Sequence, residues 1–238
     1  MLVFVAAERR EFSGLLRHAE RVCKLDWPLS FARSASLNGM PVLLIANGPG
    51  PKLAGEAVDV ARKREELNAL VSIGFCGALD PALGACDIVV ASQVLIPSRD
   101  CEGAVQEEAA QPAAYSLRST TRIARLLSLD RVVSTAAEKS ELRETGADVV
   151  EMEAGAVARK AREWSIPFFA IKVVTDRADE SFPLDFNRML RTDGRFNLVR
   201  ILAAACRNPK LFPALLQLDK RTKSAAEALG DFIADTRF

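Results

Sequence analysis

Two apolar runs that each end in a carboxylate constrain this chain more than any other feature. The first is Val149-Val150-Glu151-Met152-Glu153, and the second is Phe168-Phe169-Ala170-Ile171-Lys172-Val173-Val174-Thr175-Asp176. Between them lies an amphipathic segment over 153–164, with Ala154, Val157, Ala158 and Ala161 at helical spacing and Arg159, Lys160, Arg162 and Glu163 on the other side. Pro167 closes that helix by opening a strand. A strand–helix–strand unit of this kind puts Glu153 and Asp176 at strand C-terminal ends, where open α/β sheets bind their ligands.

The same alternation runs along most of the chain. Strands are expected over 2–7, 69–74, 87–95, 130–134, 147–151 and 167–174, a hairpin over 31–47, and helices over 11–23, 52–64, 116–128, 138–145 and 153–164. Beyond residue 181 the pattern becomes helical, over 197–206, 211–218 and 222–232. The expected fold class is α/β: a single-domain three-layer α/β/α sandwich over 1–238 with a mixed, mostly parallel central sheet and a C-terminal helical extension from about 185. At 238 residues, 49% hydrophobic, the chain is long enough for a large core.

Several chemistries are disfavoured. The net charge of +1, with both signs interspersed, gives no nucleic-acid footprint. No run is long enough to span a membrane, and Met1 to Ala7 reads as a buried strand instead of a signal peptide, so a cytoplasmic protein is expected. The five cysteines, Cys23, Cys76, Cys86, Cys101 and Cys206, lack C-x-x-C spacing, which disfavours structural zinc and disulfides; Cys76 reads as a small packing residue. His18, the one histidine, is expected on the solvated side of its helix, so triads built on histidine and most catalytic zinc sites lack their usual parts. No metal and no cofactor are expected, and carboxylates carry the proton chemistry.

The order of motifs resembles the nucleoside phosphorylase and 5′-methylthioadenosine/S-adenosylhomocysteine nucleosidase superfamily. The matching pieces are Leu37 to Gly50, Ser72-Ile73-Gly74-Phe75-Cys76-Gly77-Ala78-Leu79 with Gly84 to Val90, Met152-Glu153-Ala154, and Ile166-Pro167-Phe168 through Thr175-Asp176. The resemblance implies cleavage of a purine N-glycosidic bond in a small-molecule nucleoside, in a homo-oligomer whose neighbouring subunits often complete the site. It implies that Asp176 is the acid that protonates the departing base, that Glu153 accepts hydrogen bonds from the ribose hydroxyls, and that Met152 packs against the ribose. It places Gly48, Phe75 and Gly77 in the substrate-binding segments, although Gly48-Pro49-Gly50 reads equally well as a plain tight turn. Ala7-Glu8-Arg9-Arg10-Glu11-Phe12 resembles the segment that supplies the water-activating glutamate, with Glu11 favoured and Glu8 the alternative.

Each acid also has a plainer reading: Thr175 or Asp176 as a helix cap, Glu153, Glu11 and Glu8 as first-turn acids. Phe75 stands where phosphorylases place a phosphate-binding hydroxyl. Ser134 to Lys139 lacks the aromatic that stacks on the base in the nucleosidases. Those departures, with Glu138-Lys139-Ser140-Glu141-Leu142, Asp193-Gly194-Arg195 and Pro209 to Leu216, resemble the hopanoid-biosynthesis-associated phosphorylases, linked to removal of adenine from adenosylhopane. Water or phosphate as the nucleophile stays open: Glu11 and Phe75 favour water, Arg9 and Arg10 phosphate. A non-catalytic nucleoside-binding or storage protein on the same fold is the remaining alternative.

Overall fold

The computed structural model describes residues 1–97, 105–111, 121–182, 184–189, 191, 195, 208 and 211–238. Ten strands appear among them: β1 (Leu2–Ala6), β2 (Glu20–Lys24), β3 (Phe31–Leu37), β4 (Met40–Ala46), β5 (Ala69–Ala78), β6 (Ile88–Pro97), β7 (Val105–Ala109), β8 (Thr121–Ser128), β9 (Val149–Glu151) and β10 (Phe168–Asp176). Four α-helices accompany them: α1 (Pro51–Arg62), α2 (Ala136–Arg143), α3 (Ala154–Glu163) and α4 (Leu211–Ala234).

The strands form one mixed sheet, as expected, but not a mostly parallel one: its described ladders divide into five parallel and five antiparallel pairs. Strands β2, β3, β4, β1 and β5 lie side by side in that order. At β5 the sheet forks: one side pairs with β9 and the other with β10, and the path β9-β8-β6-β10 returns to β5. Five strands thus close on themselves, which removes their free edges and gathers the ends of β5, β9 and β10. Among the described residues β2 and β7 each pair with one neighbour; β2 is exposed throughout and carries Glu20, Arg21 and Lys24, charges that discourage pairing with another chain.

Helices α1 and α3 cover one face, burying Ala54, Ala57, Val58 and Ala61 of α1 and Ala154, Val157, Ala158 and Ala161 of α3 against Val3, Val5, Leu43 and Leu70. The other face is covered by α4, whose Ala225, Leu229, Phe232 and Ile233 pack with Phe4, Phe12, Leu15 and Val71. The result is the expected three-layer arrangement.

Four local expectations differ. Residues 11–23 are not one helix: 3₁₀ turns at Arg9–Phe12 and Leu15–Arg17 lead into β2. The turns follow from packing on α4, where a Cβ on Gly14 would stand 2.0 Å from the Ala226 carbonyl oxygen and one on Gly230 2.1 Å from the Gly14 carbonyl carbon. His18 closes this stretch on the surface, its Nε2 2.7 Å from Asp231 Oδ1, and Cys23 lies exposed on β2. Residues 121–128 of the expected helix 116–128 form β8; pairing with β6 and β9 overrides the helical preference of its Leu, Ala and Arg residues. Residues 116–120 lie outside those described. The expected strand 130–134 is irregular and runs past the cavity described below. Finally, 211–218 and 222–232 are one continuous helix, α4, with Pro213 tolerated in its first turn; the helix expected over 197–206 lies outside the described residues, as do Cys101 and Cys206.

Candidate active site

Strand β5 organises the site. Gly77 pairs with Val150 of β9 on one side and with Asp176 of β10 on the other, where the β10 register shifts between Val174 and Asp176. Its missing side chain matters, because a Cβ there would lie 2.8 Å from Asp176 Oδ2. Around this junction a cavity of about 170 Å³ is lined by Glu8, Glu11, Phe75, Gly77, Met152, Glu153 and Asp176, with Arg131, Val132 and Val133 from the loop before α2 and Phe182 from the segment after β10. A second cavity of about 320 Å³ shares Glu8, Arg10, Phe75, Val132, Thr175 and Phe182 with the first and is extended by Phe186, Leu215 and Leu218, with Asp219 and Thr222 of α4.

Glu11 is buried beneath β5. Its Oε2 accepts from the Glu8 backbone N–H at 2.7 Å and its Oε1 from that of Phe75 at 3.0 Å. An ionised carboxylate offers about four acceptor positions, so two remain for other partners. The space it occupies is left by Gly74, where a Cβ would sit 2.4 Å from Glu11 Oε1 and where φ is +129°. Burial pushes the Glu11 carboxyl above its ordinary value, against the Glu8 N–H, the Lys172 charge and the Phe75 N–H.

Glu153 stands at the N-cap of α3, and its Oε1 accepts from the Gly50 N–H at 2.8 Å. Its carboxyl is pushed up to about 8, first by burial and then by the negative charge of Glu151. Glu151 does the capping: its carboxylate accepts from the N–H groups of Glu153 at 2.9 Å and Ala154 at 2.9 Å. It also pairs at 2.8 Å with the ammonium of Lys172, whose side chain is buried like its own. Burial alone would raise Glu151, but Lys172 and these bonds bring it below its ordinary value.

Asp176 ends β10 as an acceptor on both oxygens. The Lys139 ammonium donates to Oδ2 at 2.5 Å and the Thr175 hydroxyl to Oδ1 at 2.8 Å. Burial raises the carboxyl above its ordinary value despite these two donors. The other N–H bonds of Lys139 reach the carbonyls of Arg177, at 2.6 Å, and Glu180, at 3.1 Å.

Asp176, Glu11, Glu153, Met152, Phe75 and Gly77, singled out from sequence, therefore share one cavity. Glu8 lines it as well, but its carboxylate is drawn to Arg10 at 2.8 Å. Gly48 does not line it; its N–H donates to the Ala7 carbonyl at 2.9 Å and its neighbour Pro49 reaches the wall. Arg9 is exposed, whereas Arg10 lines the cavity. Cys76 also lines it, from strand β5, with its thiol raised well above its ordinary value by burial. Asp179 forms a surface pair with Arg177 at 3.0 Å. Arg195, of the Asp193-Gly194-Arg195 motif, donates to Asn47 Oδ1 at 3.0 Å beside the glycine turn; Asp193 and Gly194 lie outside the described residues. Sequence reasoning missed Glu151, Lys172, Lys139 and Phe182. A lysine inside an apolar strand was a readable signal for Lys172. Among the described residues no His, Cys, Asp and Glu cluster suits a metal ion, and no helix is long and apolar enough to cross a membrane.

A model of the phosphorylase superfamily matches residues 29–204, most of the chain. The chain belongs to the phosphorylase superfamily. It is thereby a member of an enzyme superfamily, and its fold agrees with solved structures over nearly its whole length. The 5′-methylthioadenosine/S-adenosylhomocysteine nucleosidase of Neisseria meningitidis, in complex with methylthio-immucillin-A, superimposes with a TM-score of 0.73 at 18% identity, covering 98% of this chain and 96% of that one. The S. pneumoniae nucleosidase of the same name gives 0.75 at 14% identity, with 98% and 96% covered. Futalosine hydrolase of Helicobacter pylori gives 0.70 at 13%, with 98% and 95% covered. At these identities the likeness is one of fold.

Proposed function

We propose that this phosphorylase-superfamily member hydrolyses the N-glycosidic bond of an adenine nucleoside that carries an apolar 5′ substituent. The observation that carries this reading is the convergence of Glu11, Glu153 and Asp176 on one cavity at the joined ends of β5, β9 and β10. Glycoside cleavage needs an acid for the departing group, a stabiliser of the cationic sugar and a base for water, and carboxylates supply all three. Asp176 is the acid, Glu153 engages the ribose hydroxyls beside Met152, and Glu11 orients and deprotonates the water. Phe182, which with Phe75 gives the cavity wall its aromatic rings, is the surface on which the base stacks.

Hydrolysis is favoured over phosphorolysis by charge. Glu11 lies where it can activate water and, when ionised, would repel a phosphate dianion, and Phe75 offers no hydroxyl to bind one. Arg10 supports the opposite reading, since it lines the cavity, but its guanidinium is bonded to Glu8. The names of the structural neighbours, nucleosidases and a hydrolase, point the same way, and a Borrelia burgdorferi structure among them holds adenine.

The apolar 5′ group is supported by the second cavity, which extends from Phe75 and Phe182 to Phe186, Leu215 and Leu218, and by the resemblance to the hopanoid-associated phosphorylases. We extend the proposal to one catalytic unit over 1–238 and to a homo-oligomer, as the superfamily resemblance implies. The test is to incubate the protein with adenosine, 5′-methylthioadenosine and 5′-alkyl adenosines, with and without phosphate, and to identify products by mass. Adenine plus a free sugar in phosphate-free buffer is expected. A sugar 1-phosphate formed only with phosphate would bring Arg10 into the site, and nucleoside bound without release of base would leave a binding protein.

A further inference from the structure

An acid that protonates a leaving base must hold a proton, yet Asp176 is arranged as a carboxylate. Both of its oxygens accept hydrogen bonds, Oδ2 from an ammonium and Oδ1 from a hydroxyl, and an ion-paired carboxylate has no proton to give. The cation opposite it is unusual in its own right. Lys139 is 1% exposed, on a helix whose neighbouring residues Glu138, Ser140 and Glu141 read as a solvated face, and its three N–H bonds all end on acceptors of the β10 end and the segment after it. Burying an ammonium is costly unless something uses it.

We propose that Lys139 is the proton source behind Asp176, a positioning residue that does not touch the nucleoside and whose ammonium supplies, through the Asp176 carboxyl, the proton taken by the base. This rests on the reading of Asp176 as the acid. As the C1′–N bond breaks, its electron pair passes to the base, an Nζ proton of Lys139 moves onto the Asp176 carboxylate, and the carboxyl so formed passes a proton to the base nitrogen, leaving Asp176 a carboxylate again. Water adds its hydroxyl to C1′ and gives its proton to Glu11. Lys139 is left a neutral amine and Glu11 a carboxylic acid, and a proton returned through solvent restores both.

Such a couple shares one proton, and its titration belongs to the pair. An alkylammonium holds a proton far more firmly than a carboxyl does, so the ion pair stores a proton that an isolated Asp176 carboxylate would lack. The other groups facing it are already engaged: Glu180 with Arg221 of α4 at 2.7 Å, Arg177 with Asp179 at 3.0 Å, and Glu138 with Arg131. The Cys76 thiol behind Asp176 is raised by burial and stays protonated.

The test is the pH profile of adenine release from 5′-methylthioadenosine and adenosine by the full chain. Lys139→Met keeps the apolar stem and removes the proton. With only the Asp176 carboxyl left to hold the proton, its alkaline limb should move to lower pH than in wild type, so that the rate above the new limb falls by about tenfold per pH unit while the rate at the acidic end is nearly kept. Lys139→Arg keeps a cation and donors, but a guanidinium does not release its proton; turnover should fall at every pH with little change in KM. A mere counter-charge predicts the opposite sign for Lys139→Met, because losing a cation raises a carboxyl. An unmoved or raised alkaline limb, or an arginine variant with wild-type turnover, overturns the proposal. Should Lys139→Met fail to fold by circular dichroism, the arginine variant decides. Asp176→Asn with wild-type turnover would instead show that the acid itself had been misassigned.

Discussion

Glu153→Gln should leave the protein more stable than wild type at alkaline pH, by an amount that grows with pH. The Glu153 carboxyl is pushed from its ordinary 4.5 to about 8, by burial first and then by the charges of Glu151 and Glu11, against Lys172 and the Gly50 N–H. Below 4.5 the acid is protonated in both the folded and the unfolded chain. Between there and about 8 the unfolded chain releases the proton while the folded chain holds it, so stability falls as pH rises. The interval is 3.5 pH units, and at about 1.4 kcal/mol for each the loss comes to roughly 5 kcal/mol. Glutamine has the same shape, can still accept from Gly50, and does not titrate. The stability difference between variant and wild type should therefore climb by up to ~1.4 kcal/mol per pH unit across this window and level off above it. Urea unfolding followed by the fluorescence of Trp27 and Trp164, repeated across the window, measures it, and titrating groups that do not interact with Glu153 cancel between the two proteins. A difference that stays flat with pH, or one that turns against the glutamine variant as pH rises, would refute the charge argument.

Asp176→Asn should lower kcat by roughly two to four orders of magnitude, the scale of a positioned acid, in a protein that is folded by circular dichroism; near-wild-type turnover would remove Asp176 from the reaction. Gly74→Ala should displace the Glu11 carboxylate, which sits 2.4 Å from the new Cβ on a backbone at φ +129°, and hydrolysis should drop at least about tenfold with binding of adenine unchanged; full activity would show that Glu11 is not the base. Leu215→Asp should depress kcat/KM for 5′-alkyl adenosines more than for adenosine, since Leu215 lines the cavity that extends to α4 and not the one that holds Glu11 and Glu153; equal losses on both would contradict an apolar 5′ site there.

The strands that carry the carboxylates were legible because each is an apolar run closed by a break in pattern: Val149 to Glu151 by the start of α3, Phe168 to Asp176 by the charged Arg177-Ala178-Asp179-Glu180 that follows. What connects the strands was not. The return of β10 and β9 to β5 depends on ladders between residues about 70 to 100 positions apart, and no local pattern encodes which neighbour a strand chooses. The same blindness made Thr121–Ser128 read as helix. Its alternation is imperfect, with Arg122 and Ile123 exposed together and Leu126 and Leu127 buried together, because a strand in a closed sheet is covered on both faces for part of its length. Glu11 was found through the resemblance of its segment, although the structure that holds it, a 3₁₀ turn bent by the Gly14–Gly230 contact, differs from the expected helix.

The two buried lysines show why site electrostatics cannot be read from residue types alone. Glu11, Glu151, Glu153 and Asp176 are all buried at the site, against Lys139 and Lys172. Each lysine has its own acid: Lys139 is tied to Asp176 and Lys172 to Glu151. That leaves Glu11 and Glu153 with backbone donors and no cation in direct contact, and both are raised above their ordinary values in consequence of burial. A raised carboxyl beside a cavity is one that a positive charge would bring back to its ionised form. In the proposed reaction the sugar becomes that positive charge only as the glycosidic bond breaks, so the attraction is larger in the transition state than in the bound substrate, which is the condition for an interaction to accelerate a reaction at all. The pairing of Lys172 with Glu151 is then as much a part of the site as the acids facing the cavity. Were Lys172 to turn toward Glu153 instead, it would neutralise in advance the charge that the departing sugar is meant to meet.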